Sequence, residues 1–225
     1  MLAKTLLPLF CLATLTACSP STPPMPEDGP AASASASSTA FSPLLSCNGP
    51  VSQGMTAAQI LQRFGPDARE ETVPGPEGTT QSAVVLFADN PARKAVITFW
   101  DEAKTQLADV RVGRGALDWD APGHLHIGSP LSAVEAANGK AFDLYGFDWD
   151  YGGYAADFKG GTLSQLPGGC VLSLRFAPPE GHAGALGSDI VGDTQVSSAN
   201  THMQALQPVL VEMGVGWPSP SASVE

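Results

Sequence analysis

Positive charge is scarce in this 225-residue chain: 11 Lys and Arg stand against 22 Asp and Glu, a formal net charge of −11. That balance excludes a protein that grips nucleic-acid phosphates or anionic lipid headgroups electrostatically. Long apolar runs are also missing. None reaches the roughly 18 residues of a membrane span, which excludes a polytopic helical transporter. Histidine is rare, with four in all, and neither an H-x-x-x-H helix nor a C-x-x-C pair offers metal-ligand spacing. There is no G-x-S-x-G, no phosphate loop and no dinucleotide fingerprint, so the 24 glycines read as turn residues and no cofactor is expected. What the chain does hold is 43% hydrophobic residues against 15% charged ones, enough for a buried core and too apolar for wholesale disorder.

The amino end is organised for export. Lys4 precedes an apolar stretch over 6–15, the layout of a secretory signal and too short for a stable membrane helix. The following Leu15-Thr16-Ala17-Cys18 resembles the lipobox of bacterial lipoproteins. That resemblance implies cleavage after residue 17 and lipidation of Cys18, with Ser19 in place of Asp pointing to the outer membrane. Two or three acyl chains, at about 0.8 kcal/mol per buried CH₂, hold far better than one. Loss of Lys4 leaves the mature chain still more negative, so contact with the membrane is expected through the lipid alone. Residues 19–46 carry 6 Pro, 8 Ser and 5 Ala, too little apolar surface to repay ordering. They are expected to form a linker with a reach of about 30 Å. The tail 218–225 has the same character, which leaves 47–217 as the folded unit.

Cys11 leaves with the signal and Cys18 takes lipid, so Cys47 and Cys170 are the two thiols left in an oxidising compartment. They are expected to form one structural disulfide. The rival reading, a redox pair, calls for close spacing and an exposed, activated thiol.

The domain contains a repeat. Gly54, ten residues and Gly65 are matched by Gly128, ten residues and Gly139, an offset of 74. Each bracket reads as one short helix. In the first, Thr56 and Gln59 form a capping box, and Ala57, Ile60, Leu61 and Phe64 form the apolar stripe. In the second, Ser129 is the expected cap and Pro130 the first helical residue, with Leu131 and Val134 inward. Strands are expected after each helix, over 83–87, 95–100 and 107–112 in the first half and over 151–158, 162–166 and 170–176 in the second. A helix near 199–206 and a strand near 209–215 close the domain. The expected class is α+β: two tandem helix-then-antiparallel-meander halves (about 50–115 and 124–177) in one twisted sheet, with helices on one face. This layout resembles the fold of the β-lactamase inhibitor protein, built from two such repeats, and of the small lipoprotein of the outer-membrane β-barrel assembly machinery, which has one. No site residue transfers through that resemblance, because the inhibitor's contact loops have no match.

The densest chemical feature is FDLYGFDWDYGGYAADF over 142–158, with seven of the 16 aromatic residues and all three tyrosines. If extended, it sets Tyr145, Phe147, Trp149 and Tyr151 on one face and Asp148 and Asp150 on the other. Two readings stand for the aromatic ridge: core beneath the second helix, or a partner-binding surface. A third makes Asp148, Asp150 or Asp157 an acid–base pair for glycan cleavage, since alternate carboxylates on a strand lie roughly 7 Å apart. His124 and His126 share a strand face in the same way, but His182 and His202 are far off in sequence, so no metal is expected. Trp119, in a second Asp-Trp-Asp triplet, is expected to seat at the junction of the halves. The 178–187 loop, with His182, is a possible contact loop. The composite expectation is a non-catalytic, lipid-anchored envelope protein that binds another envelope component, protein or cell wall, through an open sheet face or the loops near Trp149. Trp100, Tyr145, Trp149 and Tyr151 are its candidate contacts. The alternatives are an inhibitor or assembly factor for an envelope enzyme or barrel protein, and a glycan-cleaving enzyme.

Overall fold

The computed structural model describes residues 43–219, all within the unit Ala40–Glu225. The expected signal, Cys18, most of the expected linker and all but the first two residues of the expected 218–225 tail lie outside the described residues. The described residues begin four before the expected start of the folded unit. Pro43 accepts from the Asp120 amide, Leu45 donates back to Asp120 at 2.8 Å, and the Leu45 side chain is buried.

Helix α1, Ala57–Phe64, forms as its pattern requires: the Thr56 hydroxyl accepts from the Gln59 amide while the Gln59 side chain accepts from the Thr56 amide. A four-stranded antiparallel run follows, β1 (Ala68–Pro74), β2 (Thr80–Leu86), β3 (Ala95–Phe99) and β4 (Leu107–Val112). A short hairpin, β5 (Asp120–Ala121) and β6 (Leu125–His126), leads to α2 (Leu131–Asn138). Beyond it come β7 (Asp143–Tyr145), β8 (Ala155–Asp157), β9 (Val171–Ala177), β10 (Gln195–Ser197), α3 (Thr201–Leu206) and β11 (Val209–Gly216).

The fold is α+β and its sheets are antiparallel. Six strands form the main sheet in the order β1-β2-β3-β4-β11-β9, while β10-β7-β8 form a separate small sheet. One register row, Val84, Ile97, Val110, Val215 and Leu172, crosses the main sheet and is buried throughout. Period-two alternation in each strand delivers these residues to one face.

The second half does not repeat the meander of the first. Of its strands only β9 enters the main sheet, and it reaches β4 through the C-terminal β11. The expected strand at 162–166 is instead a turn of 3-10 helix, Thr162–Ser164. The cause is Asn138, which is buried at the end of α2. Its carboxamide donates to the carbonyls of Lys140 and Phe158 and accepts from the Leu163 amide. That engagement ties the segment to α2 and takes it out of any ladder.

The helices also differ in what they cover. α1 packs on β1 and β2, whereas α2 packs on β6 and the 162–164 turn. Ser129 does not cap α2. Its hydroxyl accepts from His126, and the backbone on either side pairs with 208–210, so the first amide of α2 is satisfied by Pro208. β1 is a strand that hydrophobic patterning misses, because the edge sequence AREETVP is mostly polar and exposed, as suits an unpaired sheet edge.

Cys47 and Cys170 are joined in a disulfide and both are buried. Trp119 is buried as expected, its indole N–H donating to the Arg93 carbonyl at 2.8 Å. No helix among the described residues is long and apolar enough to cross a membrane.

Candidate functional site

The face of the main sheet opposite the Val84–Leu172 row carries charge. Thr98 and Asp109 face each other across β3 and β4, Arg111 follows Asp109 on the same side, and Glu212 of β11 is paired with Arg175 of β9. These five residues floor a cleft of about 870 Å³. Its ends are the β1–β2 turn, with Glu77, and the 148–154 loop, with Asp150, Tyr151 and Tyr154.

The floor is one connected network. The Thr98 hydroxyl donates to Asp109 Oδ2 at 2.6 Å, Arg111 reaches the same oxygen at 3.2 Å, and Arg111 Nε lies 3.6 Å from Glu212 Oε1. That oxygen also accepts from the Tyr154 hydroxyl at 2.6 Å. The Arg175 guanidinium lies over the Tyr154 ring, 4.9 Å from its centroid, and donates to the carbonyls of Gly152 and Asp150. Burial opposes the Arg111 charge, but Asp109 and Glu212 beside it outweigh that and raise its pKa above the ordinary value. Burial first, then the bond to Glu212, pushes the Tyr154 phenol up to about 12. Asp109 Oδ1 is buried with no hydrogen-bond partner among the described residues.

Two of the four aromatic candidates meet at this cleft. Trp100, 52% exposed just past the end of β3, is held by an indole N–H bond of 3.1 Å to the Trp217 carbonyl. Tyr151 is 48% exposed in the loop. Trp149 is half-buried between Tyr145 and Tyr151, with ring centroids 5.6 and 5.4 Å away, and faces an adjoining depression that shares Arg175 and Glu212. Tyr145 supports Trp149 and lines neither depression.

The extended ridge expected over 142–158 is not formed. β7 stops at Tyr145, Phe147 turns into the core, and 148–153 is a turn. The glycines decide this. Gly153, at φ +79°, sits so close to β9 that a Cβ would collide with the Phe176 carbonyl, while its own carbonyl accepts from the Phe176 amide at 2.8 Å. Asp148 has φ +66° and lines the adjoining depression, while Asp150 lines the cleft. The strand spacing assumed for an Asp148–Asp150 catalytic pair is therefore absent. Asp157 is exposed on β8 and accepts from the Lys159 amide.

His124 and His126 are likewise not on one strand face: His124 is in the turn before β6, at φ +59°. Among the described residues no group of three or more His, Cys, Asp or Glu is placed to hold a metal ion. His202 pairs with Asp189 at 2.7 Å, and His182 is exposed in the 178–187 loop.

Asp109, Arg111, Glu212 and Arg175 were not legible as site residues. The available signal was charge at positions that alternate with the buried ones in three strands, which points to a shared face only once the strand order is known. Comparison with protein-family models, with curated proteins and with solved structures finds no match to this chain.

Proposed function

We propose that this chain is a lipid-anchored, non-catalytic envelope protein whose folded domain binds another envelope component through the charged cleft of the main sheet. One observation carries the reading. Trp100 and Tyr151, far apart in sequence and each about half exposed, come to the same cleft over a floor that is already hydrogen-bonded. Large rigid rings over a pre-ordered polar floor give contact area at little entropic cost. The lipobox-like 15–18 segment and the Pro/Ser/Ala-rich 19–42 stretch support attachment at the outer membrane, facing the periplasm, with a tether that lets the domain search. The equal lengths of α1 and α2, 74 residues apart, support descent from a duplicated helix-then-strand unit of the kind the sequence resembles.

Photo-crosslinking in intact cells tests the proposal. A photoreactive phenylalanine at position 100 or 151 gives a discrete adduct with an envelope component. The same group at Leu117, which is exposed outside the cleft, does not. Trp100→Ala with Tyr151→Ala abolishes capture without lowering yield, and Cys18→Ser releases the protein from the membrane fraction. Equal adducts at 117, or capture that survives the double variant, would overturn the cleft as the binding surface. An adduct with one enzyme or barrel protein would make the chain its inhibitor or assembly factor.

A further inference from the structure

We propose that the cleft takes a lysine or arginine side chain presented on an extended segment of a partner protein. This rests on the cleft being the binding surface and narrows what it binds.

Charge in the cleft favours a cation. Four carboxylates, Glu77, Asp109, Asp150 and Glu212, line the cleft against two guanidiniums. Both guanidiniums are already committed. Arg111 is shared between Asp109 and Glu212. Arg175 is spent on the Tyr154 ring and on two loop carbonyls. Glu77 and Asp150 are exposed at opposite ends of the cleft, and neither forms an ion pair among the described residues. The cleft thus holds negative charge that nothing in it neutralises, as does the chain as a whole.

The exposed rings favour a cation too. Among the described residues no cation lies over Trp100 or Tyr151, although cations do cover the Phe64, Phe87 and Tyr154 rings. An exposed indole beside uncompensated carboxylates in a recess attracts a cation by both the ring quadrupole and the net field, more strongly than either does on an open surface. An anionic ligand is repelled by the same field, and a neutral sugar makes no use of it. A cleft of about 870 Å³ whose floor spans four strands is far larger than one such side chain needs, so the cation arrives on a chain that fills the rest.

Blocked pentapeptides test this on the full mature protein in detergent micelles, with the Trp100 indole N–H as the nuclear magnetic resonance reporter and Trp100→Phe to assign it. The probes are Gly-Gly-Lys-Gly-Gly, the same peptide with norleucine or with glutamate at the centre, and a linear tetramer of N-acetylglucosamine. The lysine peptide is expected to bind at least about tenfold more tightly than the other three. Its affinity is expected to fall about tenfold in Glu77→Gln with Asp150→Asn, and to weaken as salt rises from about 0.05 to about 0.5 M. Both substitutions are at exposed positions and leave the fold intact. Equal affinity for norleucine, or no lysine-dependent shift at millimolar peptide, overturns the cation assignment. If crosslinking at position 100 persists in that case, or the glycan alone moves the indole, only this inference fails. If crosslinking fails as well, the binding surface itself is wrong.

Discussion

At the scale of single residues, Tyr154 connects the fold to the cleft. Its hydroxyl donates to Glu212 while its ring receives Arg175, so the phenol is held neutral by burial and by a carboxylate acceptor, and its pKa is pushed up to about 12 from 10.0. A folded-state pKa above the unfolded one favours the protonated form on folding, so this contribution to stability is complete below about pH 10 and is lost as pH rises through about 12. Ultraviolet titration is expected to show one phenolate forming late, near pH 12. Tyr154→Phe should remove that step, and Glu212→Gln should bring it down part of the way, since burial remains after the carboxylate charge is gone. A late step that survives Tyr154→Phe would show that another tyrosine carries it and that Glu212 does not hold the Tyr154 phenol neutral. Trp100 and Tyr151 stand out in the sequence as candidate contacts because Trp and Tyr are conspicuous in any pattern, but their exposure belongs to the fold. The charged floor was not, because each of its members is unremarkable within its own strand.

At the scale of elements, legibility tracks how far local chemistry decides the outcome. The capping box and stripe of α1 mark that helix in the sequence, and β3, β4, α3 and β11 read out of periodicity nearly to their ends. The 142–158 segment fails because its alternation is broken by backbone demands that only the tertiary contact reveals. Gly153→Ala tests that account against a matched control. Gly160 has a similar positive φ, +66°, but a Cβ there meets nothing within 4 Å. Gly160→Ala is therefore expected to cost only the conformational term, about 1 kcal/mol, whereas Gly153→Ala adds a backbone collision for a total of about 2–4 kcal/mol. Denaturant unfolding measures both. Equal losses would show that the 148–154 loop does not press on β9. The same loop carries Tyr151 and Asp150, so its seat on β9 also positions one end of the cleft.

At the scale of the whole molecule, the sheet is closed by its last strand: β11 lies between β4 and β9 and pairs with both. Strand order is a property of long-range pairing, and no periodicity within a strand encodes it, which is why two adjacent meanders were expected and a single meander extended by β11 and β9 is found. The amino end of the domain is held by different means. Residues 43–47 reach the rest of the molecule through Leu45, the paired bonds to Asp120, and the Cys47–Cys170 disulfide, which spans 123 residues and delivers the segment to the start of β9. Contact there is close: the Cys170 amide donates to Cys47 Sγ at 3.0 Å, and a Cβ on Gly168 would stand 2.6 Å from the Cys47 Cβ. A cross-link that closes so long a loop acts chiefly on the unfolded chain, and its removal is expected to cost about 2–5 kcal/mol. Cys47→Ser with Cys170→Ser should therefore lower the denaturant midpoint substantially, and it should steepen the transition because the unlinked chain exposes more surface on unfolding. A midpoint unchanged by the double substitution would mean that the 43–47 segment is held by Leu45 and the Asp120 bonds alone, and that the long loop is already restricted in the unfolded state without the bridge.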